Sequence, residues 1–292
     1  MSTLQVDRRM TRPRLRLATV IRPLRGHEEP LLWIGVTLLV VIVLIAFVGP
    51  IIVGTSSTAQ NYNAILQAPS AAHPFGTDQY GRDMLVRTMV AGRLDLAIAF
   101  GLVAISLTIG TAIGMVAGWF GGWLDGVVGR VIDVALAFPF LVLVIAIVGV
   151  RGPGVGSLFV AVWFTGWVFY ARLTRGEVLV ARGQDYMRAA VASGFSRRRV
   201  FVRHLLPNVV IQPLVYASSD LVYALLLGAS VSFLGLGVQP PTPEWGQMVF
   251  EGATFITTQW WLAFFPGMAI VVTGVAFSLI GDGIADRTRG GR

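Results

Sequence analysis

From Leu31 to Val53 the chain reads Leu-Leu-Trp-Ile-Gly-Val-Thr-Leu-Leu-Val-Val-Ile-Val-Leu-Ile-Ala-Phe-Val-Gly-Pro-Ile-Ile-Val, without one charged side chain. About 20 mostly apolar residues are enough for a helix to cross the hydrocarbon of a bilayer. The run outlasts the roughly 7–15 residue apolar core of a secretory signal, so it is expected to stay as an anchor. Five further stretches meet the same test: Leu96–Gly118, Val131–Val150 with Asp133 at its entrance, Val155–Ala171, one within Val209–Val238 that contains Asp220, and Trp261–Gly281. The expected fold class is therefore all-α, a polytopic membrane protein with six transmembrane helices.

The composition of the 292 residues agrees. Hydrophobic residues make up 55% and charged ones 13%, against about 25% charged in an ordinary soluble domain. Mean hydropathy is +0.72. Two absences exclude chemistry. Without cysteine there is no disulfide, thiolate metal site or cysteine nucleophile. Without lysine there is no Walker A loop and no Schiff-base catalyst, since all 23 basic residues are arginine. The three histidines are scattered, so no metal site is expected.

Arginine placement orients the spans, because basic residues collect on the cytoplasmic side. Alternate segments hold 19: seven before the first span, Arg130, eight between spans four and five, and three in the tail. The opposite side holds four: Arg82, Arg87, Arg93 and Arg151. Both termini are thus expected in the cytoplasm. The net charge of +8 is then a topology signal, with no nucleic-acid partner implied.

Divided this way, the chain has a basic N-terminal segment (1–30), a first span (31–53), an extracytoplasmic loop (54–94), a core of five spans (95–281) carrying a cytoplasmic loop (172–208), and a cytoplasmic tail (282–292). Three loops are more than connectors. The outer loop contains Phe75-Gly76-Thr77-Asp78-Gln79-Tyr80-Gly81-Arg82-Asp83. It fits a turn followed by an amphipathic helix, or a docking surface for an external partner. The cytoplasmic loop is too polar to span. Asp185 to Ser193 reads as a short helix ended by Gly194, with the chain re-entering at Leu206-Pro207. Its small residues, Ala189, Ala190, Ala192 and Ser193, permit close approach of a partner. A solvated loop held near anionic lipid is the bland alternative. The third loop, from Ser232 to Gly246, has prolines at 240, 241 and 243, which prevent a regular helix. It suits the outer mouth of a pathway or a plain turn. Within the spans, Asp220 stands out with Tyr216 and Tyr223 at helical spacing, facing a water-filled cavity or bonding between helices.

The loop motifs resemble a known family. Tyr186-Met187-Arg188-Ala189-Ala190-Val191-Ala192-Ser193-Gly194, followed by Leu206-Pro207-Asn208, is similar to the "EAA" loop of ABC importer permeases. With the Phe-Gly-Thr-Asp-x-x-Gly-Arg-Asp stretch and the Ser-Phe-Leu-Gly-Leu-Gly-Val-Gln-Pro-Pro-x-Pro-x-Trp-Gly loop, it resembles the C-type permeases of the dipeptide/oligopeptide/nickel importers, over roughly residues 28 to 290. The resemblance implies a type I ABC importer permease fold in a bacterial inner membrane. It implies a second homologous permease as heterodimer partner, two cytoplasmic ATPases that hold ATP and magnesium, and an extracytoplasmic substrate-binding protein. Peptides are the implied cargo, with nickel complexes, glutathione and other small solutes as alternatives. The chain itself would bind no cofactor or metal and would not be an enzyme.

By position, Asp185, Tyr186, Met187, Arg188, Ala189, Ala190, Ser193 and Gly194 would form the coupling helix. Asp78, Arg82, Asp83 and Trp245 would serve binding-protein docking, and Asp220, Tyr216, Tyr223 and Gly228 the pathway. Two positions depart from the pattern: Arg188 stands where the motif has glutamate, and Gly228 where members often carry an acid. A self-sufficient channel or secondary transporter is the competing reading, with Asp220 as its only candidate relay.

Overall fold

A computed structural model describes residues 28–290. The basic segment before them, with its seven arginines, lies outside the described residues, as do the last two positions. Among the described residues the regular structure is helical, apart from one isolated bridge between Thr77 and Asp83 in the irregular outer segment.

Helix α1 (Glu28–Val53) runs from the arginine-rich end of the molecule to the opposite end, and α2 (Met84–Phe120) returns. The last part of the outer segment is thus already helical, and Asp83 caps α2 by accepting from the Leu85 and Val86 amides. The third span expected at Val131–Val150 is not one straight helix. It is α3 (Gly122–Leu136) and α4 (Phe140–Arg151), bent by 84°. The cause is Pro139, which donates no amide hydrogen and forces Phe138 out of the helical region. Helices α5 (Val155–Thr165) and α6 (Trp167–Arg182) form the fourth span, and α7 (Asp185–Ala192) is the short helix of the arginine-rich loop.

The fifth span starts well before the proline expected to mark its entry. Helical structure runs from Arg197 to Phe233 through α8 (Arg197–Val200), a π-turn (Phe201–Leu205), α9 (Leu206–Val209) and α10 (Ile211–Phe233). Pro207 cannot donate to the carbonyl one turn back. The π-turn absorbs the defect, with the Leu206 amide bonded to the Phe201 carbonyl. Finally α11 (Trp245–Ala253) leads to α12 (Trp261–Gly290), the sixth span. With the bent pair taken as one span, six crossings are present by length and composition.

In lipid, helices associate through close packing and not through burial from water, so small residues gather at their contacts. Gly110, Gly114 and Gly118 form such a stripe along α2, facing α6. A Cβ on Gly114 would stand 2.9 Å from Thr174 Cβ, and one on Gly118 2.8 Å from Val178 Cβ. On the opposite flank Gly35 of α1 meets Leu279 and Ile280 of α12, while Gly283 of α12 meets Leu32 of α1. These contacts surround a core that contains Leu102, Val162, Tyr170, Leu225 and Phe277.

Candidate functional site

At the arginine-rich end, α7 sits beyond the spans yet is firmly attached. Met187 and Ala190 are buried with Met115 of α2, Val178 and Ala181 of α6, and Val200 and Leu205 of the fifth span. Its other face is exposed at Asp185, Tyr186, Arg188, Ala189, Val191 and Ser193. The helix ends in a Schellman motif: the Phe195 amide bonds the Ala190 carbonyl at 3.3 Å, and the Gly194 amide bonds that of Val191 at 3.0 Å. Gly194 has φ +76°, and nothing lies within 4 Å of where its Cβ would be. Ser196 then caps α8.

Beside α7 lies a groove of about 1050 Å³ with Trp119, Phe120, Val191 and Phe201 on its apolar surface and Arg182, Arg188, Arg197 and Arg198 on its walls. Two bonds brace it. The Arg175 guanidinium of α6 grips the Asp125 carboxylate of α3 with two bonds, and Arg182 Nη1 donates to the Gly118 carbonyl at 2.8 Å. The pair Arg188–Asp185, 3.8 Å apart, is exposed and adds little.

In the middle of the spans α2, α4, α5, α6 and α10 line a second space of about 250 Å³. Asp220, Tyr216 and Tyr223, expected to lie together from their spacing on one helix, all line it. Tyr170 of α6, absent from the expected set, donates its hydroxyl to Asp220 Oδ2 at 2.8 Å. Gly228 is not in the lining. It is buried, and a Cβ there would approach Ile98 Cγ2 of α2 at 3.4 Å.

At the opposite end the docking expectation needs correction. Asp78, Arg82 and Trp245 are 2–3% exposed and cannot present their side chains to another protein. Arg82 Nε binds Asp78 Oδ2 at 2.6 Å. Arg87 Nε lies 3.5 Å from the same oxygen, and both arginines approach Glu251 Oε2 at 3.6 Å. This buried network ties the outer segment and α2 to α11. Trp245 is anchored as well: its amide donates to Asp95 and its indole to the Thr88 carbonyl. Glu244 caps α11 through the Gly246 and Gln247 amides. Asp83, besides capping α2, holds His73 Nδ1 at 2.8 Å. Asp95 and Glu251 were not expected as partners, because only the fold brings them to Trp245 and the arginines, whereas Arg87 and the cap Glu244 lie close by in sequence.

Among the described residues no group of three or more His, Asp or Glu side chains is arranged to hold a metal ion. Residues 110–290 match the family described as "Binding-protein-dependent transport system inner membrane component". The chain is 40% identical over 259 residues to the dipeptide transport system permease protein DppC of Escherichia coli K12, covering 87% of this chain and 86% of the relative. It is 37% identical to the probable D,D-dipeptide transport system permease protein DdpC of the same organism, over 92% and 90% of the two chains. The DppC protein of Alkalihalophilus pseudofirmus is 37% identical, over 87% and 83%. An arginine-walled groove beside an anchored helix, six apolar spans and these matches agree: the chain belongs to the binding-protein-dependent transport system inner membrane component family, and is a permease subunit of an ABC importer.

Proposed function

We propose that this subunit forms half of a translocation pathway for di- or oligopeptides, paired with a second homologous permease. Two cytoplasmic ATPases carry ATP and magnesium, one of them seated on α7 and its groove and the other on the second permease, and an extracytoplasmic binding protein delivers the cargo. The membrane is the bacterial inner membrane, with both termini in the cytoplasm, as the arginine distribution favours. The single observation that supports this most is the two-faced α7. One side is packed into the ends of three spans and the other is open to a partner. A helix held this way transmits a push to the spans as a rigid body, because packed interiors deform little.

The test is purification of the tagged full chain in mild detergent, with mass spectrometry of what accompanies it and an ATPase assay. A second permease and ATPase subunits, with hydrolysis raised by an external binding protein loaded with peptide, is the expected result. A chain that purifies alone or as a homo-oligomer without ATPase would overturn the reading.

A further inference from the structure

The cavity at the centre of the spans has an unusual lining. Among the described residues Asp220 is the only carboxylate lining it, and no arginine or histidine does. Around that carboxylate stand five aromatic rings: Tyr170, Tyr216, Tyr223, Phe140 and Phe169. Tyr170 and Tyr216 are edge to face at 5.1 Å, Phe140 and Tyr223 are 5.9 Å apart, and Phe140 and Phe169 6.1 Å. Tyr216 and Tyr223 are also partly exposed on the chain's surface, so the cage has an open side.

A carboxylate inside apolar spans is costly unless something compensates it. The Tyr170 hydroxyl is the one hydrogen-bond donor found on Asp220 among the described residues. Aromatic faces carry partial negative charge and attract cations, ammonium groups included. One acid in a lining rich in aromatic rings, with no basic side chain, disfavours anions and suits a single positive head. Size narrows the choice further. About 250 Å³ is below the roughly 300–1,000 Å³ of pockets that enclose a drug-sized ligand. The space accommodates a head group and not a whole oligopeptide. Within α10 nine residues separate Asp220 from Ile211 and thirteen from Phe233, about 14 and 20 Å at 1.5 Å per residue, so the carboxylate lies away from both helix ends.

We propose that this cavity is a binding station for the primary ammonium group of a translocating solute, with Asp220 as its counter-ion and Tyr216 and Tyr223 as the faces it passes. Resting on the peptide-permease reading, it makes the free α-amino end of the cargo the group that is recognised inside the membrane. Tyr170 positions the carboxylate through its hydroxyl.

The experiment titrates the importer complex, purified through the tagged chain and without its binding protein, by calorimetry. Two probes are compared: alanyl-alanine amide, which has one ammonium and no carboxylate, and N-acetyl-alanyl-alanine amide, which has neither. The cationic probe is expected to bind about tenfold or more tightly than the acetylated one, and Asp220→Asn to abolish that difference. Asn still accepts from Tyr170, so this variant keeps the helix contact. Tyr170→Phe removes the hydroxyl but leaves acid and ring, and should keep the preference within about threefold. Equal binding of the two probes, no binding of either, or a preference that survives Asp220→Asn overturns the proposal. If the chain purifies without ATPase, the importer assignment fails, and the same titration on the lone chain still reads the cavity.

Discussion

Arg93 supplies the hydrogen bond that Pro50 takes away. Pro50 lies inside α1 and has no amide hydrogen for the Ala46 carbonyl one turn earlier. Arg93 Nε of α2 donates to that carbonyl at 2.7 Å, and its Nη2 to the Phe47 carbonyl at 3.1 Å, with the guanidinium 5.4 Å from the Phe47 ring. In lipid an unpaired carbonyl has no water to turn to. Arg93→Met is therefore expected to destabilise the protein by about 1–3 kcal/mol. In a Pro50→Ala background the helix makes its own bond, and the same change should cost less, with a coupling of about 0.5 kcal/mol or more. Denaturation of the four proteins in mixed micelles measures this double-mutant cycle; additive losses would sink it.

The glycine stripe on α2 gives a second test. Gly114→Val would drive a branched side chain into the Ala171 carbonyl and Thr174 of α6, across the most extensive helix contact among the described residues. Gly156→Val, on a face with nothing within 4 Å, is the control. The first is expected to cost about 1–3 kcal/mol by overpacking, and the second to stay below about 1. Thermal unfolding of the purified proteins, read by tryptophan fluorescence, separates them.

How far the fold could be read from sequence depends on whether a feature is local. Apolar runs such as Leu31–Val53 declare themselves, because span length is set by the bilayer and not by neighbours. The α7 helix and its Gly194 stop were legible for the same reason. The bend at Phe138-Pro139 had a plain local signal that the overall apolarity of Val131–Val150 masked. So had the stripe Gly110, Gly114, Gly118, at the four-residue spacing of a helix face. What no local pattern carries is which distant polar groups meet. Asp78 and Arg82 looked like surface charges because Glu251 and Arg87, which bury them, lie far off in sequence or on the next helix. Tyr170 reaches Asp220 only once α6 and α10 are packed.

Gly194 terminates α7 by conformation and not by lack of room. Its φ of +76° costs a residue with a Cβ about 1–2 kcal/mol, less for asparagine. Because the added group would meet open space, the chain should still insert and fold. Gly194→Asn is expected to keep most ATP-driven transport. Gly194→Val should shift the loop after α7 and lower transport per ATP hydrolysed. Parallel uptake and phosphate-release assays in proteoliposomes decide it, and unchanged coupling in the valine variant would remove α7 from the lever role.

The buried network at the opposite end ranks its own members. Asp78 is 3% exposed and lies 2.6 Å from Arg82 and 3.5 Å from Arg87, whereas Glu251 is 17% exposed and 3.6 Å from each. Removing Asp78 leaves two guanidinium groups buried with one distant, partly hydrated acid. Such an uncompensated charge costs about 3–5 kcal/mol. Removing Glu251 leaves Asp78 in place and lets water reach the site, so about 1 kcal/mol is expected, nearer the value of a partly exposed pair. Asp78→Ala should therefore lower the melting temperature far more than Glu251→Ala, and Asp78→Asn should fall between, since its amide oxygen still accepts a hydrogen bond from Arg82 but carries no charge. A docking residue would behave differently, with Asp78→Ala leaving the melting temperature alone and weakening only the response to the binding protein. Melting curves and binding-protein-stimulated ATPase, measured on the same three variants, distinguish a scaffold from a contact surface.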